Sequence, residues 1–300
     1  MKPIVFMFLL SAACSLQAVM LSEVAAKGPL KLFVAVKGAE MPSDHDQTNN
    51  LKEGDRALLL SGMGLTDLTG ISTLAVVDEG NQIPISRVKN LHLFVNQNDL
   101  TALPEELSRL DNITFMYFEH NKRLRSIPES IIEMDALEGM YFTHCDFPAI
   151  PPFVFGMTRL KKLQFSQNHL TELPAAIGNL TELRHFNVAD NQISSIPESM
   201  SSLTRLRVCD LSDNPFTSLP EAFGKVQIVN QLRVKNCPVT SLPSGFSTMR
   251  ATIDITGTKI DENKLPPELR ARINTEKPPG SKEPEKMIVK KKEKPQKGGR

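Results

Sequence analysis

From residue 91 onward, large apolar residues alternate with variable ones in short bursts, and most bursts end on an asparagine. The first reads Leu93, Val95, Asn98, and the next two read Met116, Phe118, Asn121 and Met140, Phe142, Cys145. Leu163, Phe165, Asn168 follow, then Phe186, Val188, Asn191 and Cys209, Leu211, Asn214. The last two are Leu232, Val234, Cys237 and Ile253, Ile255, Thr258. Behind each burst stands a Leu-Pro or Ile-Pro step, at prolines 104, 128, 151, 174, 197, 220, 243 and 266. The spacing is 24 once and then 23 six times. A fixed period of this length marks a repeat architecture.

Each unit's letters predict its shape. Alternating apolar residues make a short strand with two large side chains on one face. The asparagine that follows can bond turn amides and carbonyls that no neighbouring strand reaches. After the proline, apolar residues three apart line one face of a short helical return, as in Leu107 and Leu110, Ile131 and Met134, Ile177 and Leu180, and Phe223 and Val226. No unit covers its own apolar face, so the units must stack, with a parallel sheet on the inside of the curve. Eight strands at about 4.8 Å spacing extend roughly 40 Å.

The flanks are less regular. Leu58, Leu60, Met63, Leu65 and Leu68 predict a divergent unit ahead of the array, with Thr69 in the proline's place. Residues 71–90 break the period and predict no path. Leu30, Leu32, Val34 and Val36 alternate, predicting a strand over the first exposed end of the stack, and 41–56 reads as a polar loop. At the start, Lys2 precedes an apolar run at 4–13, with no charge until Glu23 and small residues at Ala18 and Ala26. That is the layout of a secretory signal, with an uncleaved anchor or a capping apolar strand as the alternatives. Leu10-Ser11-Ala12-Ala13-Cys14 resembles a lipobox, with Ser11 off its pattern. The expected organisation is a signal at 1–26, an N-terminal capping segment at 27–57, a repeat domain at 58–275 and a basic tail at 276–300. The tail carries nine basic and four acidic residues and four prolines, so it has little to bury. It reads either as a solvated end or as a weak tether to an anionic surface.

The repeat resembles the leucine-rich repeat family, in its 23-residue Leu-Pro class, similar to bacterial and Ras-group-related or Scribble-like repeats. The likeness covers about residues 88–270, with one extra residue after Asn121 and a loss of spacing after Met249. It implies an α/β solenoid: a curved horseshoe with a parallel sheet on its concave face and short helical or irregular convex returns. It also implies binding of a protein or peptide, without catalysis.

Charge and composition narrow the function. In 300 residues, 35 Lys and Arg stand against 34 Asp and Glu, so no overall basic field recruits nucleic acid. Four cysteines lack a C-x-x-C spacing, and Cys145, Cys209 and Cys237 fall on core positions. Neither a phosphate-cradling glycine loop nor a nucleophile elbow nor a zinc-helix signature occurs, so neither cofactor nor metal is expected. The informative positions lie between the inward residues. In the early units they are His92, Phe94, Phe115, Tyr117, Glu119, His120, Tyr141 and His144, and they predict an exposed aromatic recognition patch. The competing reading is that these rings brace neighbouring strands. Later units turn polar, with Lys162, Gln164, His185, Asn187, Asp190, Asp210, Asp213, Arg233 and Lys235. The leading expectation is therefore an exported (secreted, periplasmic or envelope) binding module. A structural envelope protein held by lipid or tail, and a cytoplasmic signalling scaffold, stand as alternatives.

Overall fold

The computed structural model describes residues 55–274, together with Lys52 and the short stretches 19–21, 25, 30–31 and 33–34. The apolar run at 4–13, Cys14 and the basic tail lie outside the described residues, as does most of the 41–56 loop. Among the described residues, no helix is long and apolar enough to cross a membrane.

Three short strands open the chain: β1 (Val19–Met20), β2 (Leu30–Lys31) and β3 (Phe33–Val34). Next come β4 (Arg56–Leu59) and β5 (Leu65–Asp67), then β6 (Ala75–Asp78) and β7 (Asn81–Pro84). The regular units supply β8 (Leu91–Phe94), β9 (Ile113–Tyr117), β10 (Gly139–Tyr141) and β11 (Lys162–Gln164). They continue with β12 (His185–Asn187), β13 (Val208–Asp210), β14 (Gln231–Arg233) and β15 (Thr252–Asp254), and β16 (Ile273–Asn274) closes the set. One sheet runs β3-β4-β8 and then in chain order to β16. Every neighbour in it is parallel except β3, which lies antiparallel on β4. The strands predicted from the eight units are thus present in register. The divergent unit adds β4, which pairs with β8 through Leu58 opposite Leu93.

Core formation follows the pattern. Leu93, Met116, Met140, Leu163, Cys209, Leu232 and Ile253 show no exposed surface, and each large apolar side chain buried this way stabilises by about 1.5–3 kcal/mol. On the outer side, each of the first seven prolines is followed by a 3-10 helix, such as Glu105–Arg109, Ala175–Asn179 and Glu221–Lys225, and Pro266 by one α-helical turn, Pro267–Arg270. Pro104, with φ −75° and ψ 147°, ends the extended segment before the first of them. A three-residue turn eclipses positions three apart, so the predicted pairs Leu107 with Leu110 and Ile177 with Leu180 both point inward and are fully buried.

The asparagines form a second ladder beside the sheet. Asn168 Nδ2 donates to Phe142 O at 2.7 Å and Phe165 O at 3.1 Å, and its Oδ1 accepts from Phe147 N at 3.1 Å. Asn191 donates to the same Phe165 O at 2.9 Å and to Val188 O at 2.9 Å, and accepts from Leu170 N at 3.0 Å. Asn214 shares Val188 O at 2.9 Å, adds Leu211 O at 3.0 Å and accepts from Ile193 N at 3.0 Å. Cys145 and Cys237 keep one limb of this pattern, their Sγ–H groups donating to Phe118 O and Leu211 O at 3.3 Å each. After Asn121 the extra residue of the 24-residue unit closes a local turn, in which Leu124 N donates to Asn121 O at 2.9 Å. Leu124 therefore needs no acceptor from the Cys145 side chain.

Where the sequence predicts no path, residues 75–84 fold into an antiparallel hairpin, β6 on β7. Glu79 and Gly80 turn it with φ of 48° and 86°, the left-handed pair that matches the twist of a two-residue hairpin loop. Val76 seals the hairpin against the core, and Arg56 ties it to β4 through Asp78 and Glu79, both at 2.8 Å. The single capping strand expected around Leu30 to Val36 is instead split between two sheets. β2 runs parallel to β6, while β3 covers the edge of β4. Further upstream, β1 pairs with β5, Leu21 is 1% exposed within the core and Ala25 packs against it.

Candidate functional site

Strand alternation sends two side-chain columns from the sheet into the hollow. One passes through Ala57, His92, Phe115, Gly139, Lys162 and His185, the other through Leu59, Phe94, Tyr117, Tyr141, Gln164 and Asn187. Apart from His92 on β8 and Val208 on β13, each is apolar over β4–β10 and polar from β11 onward.

The early half corrects the expectation of an exposed patch. His92 is 1% exposed, Phe94 7%, Phe115 8%, Tyr117 0% and Tyr141 2%, and with Ala57 the four benzenoid rings form a second apolar cluster on the hollow side of the sheet. The strand spacing matches the thickness of stacked rings. Phe94 and Tyr117 stack with centroids 4.2 Å apart and planes 4° apart, and Tyr117 and Tyr141 lie 4.6 Å apart. The imidazole of His92 stacks on Phe115 at 4.7 Å. Gly139 is a requirement of this cluster, since a Cβ there would stand 2.3 Å from Phe115 Cδ1. These rings brace the sheet.

His92 is part of the same sealed cluster. Its Nε2 lies 3.3 Å from Asp55 Oδ2 and its Nδ1 3.5 Å from the Tyr117 hydroxyl. Burial pushes the imidazole pKa down to about 4, against the opposing pull of the Asp55 carboxylate. The ring is neutral at pH 7, and its partners assign the proton to Nε2, donating to Asp55, while Nδ1 accepts from Tyr117. Asp55 also accepts from Lys52 N at 2.7 Å. No motif points to Asp55, because its polar neighbourhood reads simply as loop.

Glu119 is 3% exposed, and its amide donates to Asn96 Oδ1 at 2.9 Å. His120 and His144 do sit side by side as predicted, with ring centroids 4.8 Å apart and both rings half-buried. Both residues have φ 57°, in a column with Gln97, Gln167, Asp190, Asp213 and Asn236 that all adopt φ of 55–57°. Their backbone amides reach forward one unit, His120 N to Thr143 O at 2.9 Å and His144 N to Ser166 O at 3.0 Å. Asn, Asp and His tolerate this left-handed conformation better than other side chains, so the turn accounts for most residue types in the column. Among the described residues, no three His, Cys, Asp or Glu side chains converge to hold a metal ion.

The polar half is open. A groove of about 390 Å³ runs over β10–β14, lined by Thr143, Gln164, His185, Asn187, Asp210 and Arg233 among others. Asn187 Oδ1 and Asp210 Oδ1 each accept from an amide two residues on, Ala189 N at 3.0 Å and Ser212 N at 3.1 Å. Arg233 Nη1 donates to Asp210 Oδ2 at 3.0 Å. Burial, followed by the positive charges of Lys162, Arg207 and Arg184, holds His185 down to about 4. Burial also lowers the Lys162 ammonium.

The family model for the Leucine rich repeat matches residues 158–216. No curated protein matches the chain. Among solved structures, a leucine-rich repeat protein of Leptospira interrogans is 19% identical with a TM-score of 0.58, over 77% of this chain and 62% of that one. The ectodomain of the Arabidopsis thaliana membrane receptor kinase GASSHO1/SCHENGEN3, solved in complex with CASPARIAN STRIP INTEGRITY FACTOR 2, is 20% identical with a TM-score of 0.52. That match covers 80% of this chain and 33% of the ectodomain. The chain therefore spans less than two thirds of either, and at these identities the likeness is one of fold. Eight sequence units, a parallel ladder in their register and a family match inside the array give this chain the fold of a leucine-rich repeat solenoid.

Proposed function

We propose that the chain is an exported, non-catalytic module that binds a protein or peptide in the hollow of its sheet, over β11–β14 rather than over the aromatic units. The observation that carries this reading is the contrast within one surface. The rings of β8–β10 are sealed, whereas Gln164 on β11, His185 and Asn187 on β12 and Arg233 on β14 line an open groove. A row of half-buried polar groups on a rigid sheet offers hydrogen bonds at little ordering cost. The complex of the similar plant ectodomain is a fold-level precedent for partner binding. Affinity capture from the native source tests it. Gln164→Ala with Asn187→Ala should lose the captured species while unfolding moves by no more than about 1–3 kcal/mol, the cost of the Ala189 amide that loses its Asn187 Oδ1 acceptor, and equal capture refutes the assigned surface. Tyr117→Ala, in contrast, should cost about 3–5 kcal/mol of stability through the cavity it leaves.

For export, the burial of Leu21 and the contact of Ala25 favour cleavage after Ala18 over cleavage after Ala26, since the later cut would remove Leu21 from the core. The mature chain then begins at Val19. Terminal sequencing of the native protein checks this. A start at Lys27 overturns the role of Leu21, a lipidated Cys14 supports the tethered envelope reading, and an intact Met1 supports a scaffold inside the cell.

A further inference from the structure

Charge is unevenly distributed around the open groove. The residues that lead into β11, β12 and β13 are Lys161, Arg184 and Arg207, and their backbones are bonded in series, Arg184 N to Lys161 O and Arg207 N to Arg184 O at 2.8 Å each. Three cations therefore stack at about 4.8 Å intervals along one rim. Lys161 is paired with Glu138 at 2.5 Å, whereas Arg184 and Arg207 make no ion pair among the described residues. Lys162 lies just inside the same rim, next to His185 on the adjacent strand. The charged groups that act on His185 are Lys162, Arg207 and Arg184, with no carboxylate among them. Two carboxylates line the groove itself: Asp210 is neutralised by Arg233, and Glu119 is buried at the end away from β12 and β13, while Asp190 and Asp213 stand exposed beyond the other ends of the strands. Like charges stacked along a ladder destabilise it, so this rim has an unmet demand for negative charge. The protein's net charge is only +1, so the demand is local.

The groove floor beside that rim adds a second, uncharged preference. Among the described residues the Gln164 side chain has no hydrogen-bond partner, and the Asn187 side-chain amide is engaged only through its Oδ1. Two side-chain amides on adjacent strands, with donors to spare, suit the carbonyls of an extended chain. The distance across β11–β13 is about 10 Å, which three residues of extended peptide cover. We infer that this half of the hollow takes an extended acidic peptide, its carboxylates on Arg184 and Arg207 and its backbone on Gln164 and Asn187. The inference rests on the concave-face reading above and names its partner class.

Fluorescence anisotropy on the full-length mature protein tests it. The probes are a labelled peptide of alternating Glu and Gly, its Gln counterpart, and a single-stranded oligonucleotide of equal charge. The Glu peptide should bind at least about tenfold more tightly than the Gln peptide, roughly the difference one charge-assisted hydrogen bond makes. Arg184→Gln with Arg207→Gln should remove that advantage, and Gln164→Ala with Asn187→Ala should weaken the Glu peptide several-fold. Thermal unfolding, checked in parallel, should not move for the arginine pair, and for the amide pair should fall no further than Asn187→Ala alone lowers it by freeing the Ala189 amide. Equal binding of the oligonucleotide, insensitive to Gln164→Ala with Asn187→Ala, overturns the inference in favour of bare polyanion attraction. Absence of Glu-peptide binding also overturns it. If native capture survives Arg184→Gln with Arg207→Gln yet is lost with the amide pair, the concave-face reading stands and only the acidic preference fails.

Discussion

Replacing Asn191 by alanine probes the ladder that the repeat encodes. The asparagine makes three strong bonds, donating to Phe165 O and Val188 O and accepting from Leu170 N. Their losses are unequal. Phe165 O keeps its bond from Asn168, and Val188 O keeps its bond from Asn214. Leu170 N–H alone is left without an acceptor. A buried donor orphaned in this way costs about 1–3 kcal/mol, and each bond lost from a carbonyl that keeps another costs about 0.5–1 kcal/mol. The expected destabilisation is therefore about 2–5 kcal/mol, measured by urea unfolding at constant slope. Asn191→Cys should fall below that loss, since a thiol retains a donor, as Cys145 and Cys237 do. Asn168→Ala with Asn191→Ala should cost more than the sum of the singles, because Phe165 O then loses both donors. Additivity of the pair, or a single loss under about 0.5 kcal/mol, would refute the shared-carbonyl account.

Gly139→Ala should destabilise by about 1–3 kcal/mol, because the new methyl overlaps the Phe115 ring; Phe115→Leu should recover part of that in a double-mutant comparison. His92 is held near 4 by burial, below its ordinary 6.5. The unfolded chain then binds the extra proton, so stability is whole above about pH 6.5 and falls as pH drops towards 4. The slope reaches about 1.4 kcal/mol per pH unit, and His92→Gln should flatten it in pH-dependent denaturation. Cys145 and Cys237 are pushed up to about 12 and about 11 by burial, and Cys209 is raised as well. In a Cys14→Ser background, a thiol reagent should label nothing at pH 8 until denaturant is added, and rapid labelling of the native protein would contradict their burial.

The ladder was legible because its period constrains both packing and hydrogen bonding. A strand-proline spacing of 23 residues leaves the apolar pairs, such as Leu107 with Leu110, only one side to occupy. The hairpin at 75–84 was not legible, because Ala75 to Pro84 carries no repeat and its strands gain meaning only beside β2 and the core. The two halves of the hollow differ for another reason. Alternation assigns Phe94, Tyr117 and Tyr141 to the concave side, but it does not tell whether that side is wet there. Ring upon ring at 4.2 and 4.6 Å turned a predicted contact surface into a second core. Sequence spacing puts His120 and His144 in the recognition patch, and their backbone angles place them in a turn column that recurs in every regular unit. Alternation also sets Gln164, His185, Asn187 and Arg233 on the hollow side, where they line the open groove.

The outermost strand at either extremity of the main sheet spans just two residues, Phe33–Val34 and Ile273–Asn274. A parallel ladder with a uniform period has no intrinsic reason to stop, and an uncovered terminal rung would template another molecule. Stubs of this length, one of them running backwards, offer an incoming strand too few rungs to grip. They make the arc a ruler of fixed length rather than the seed of a fibre.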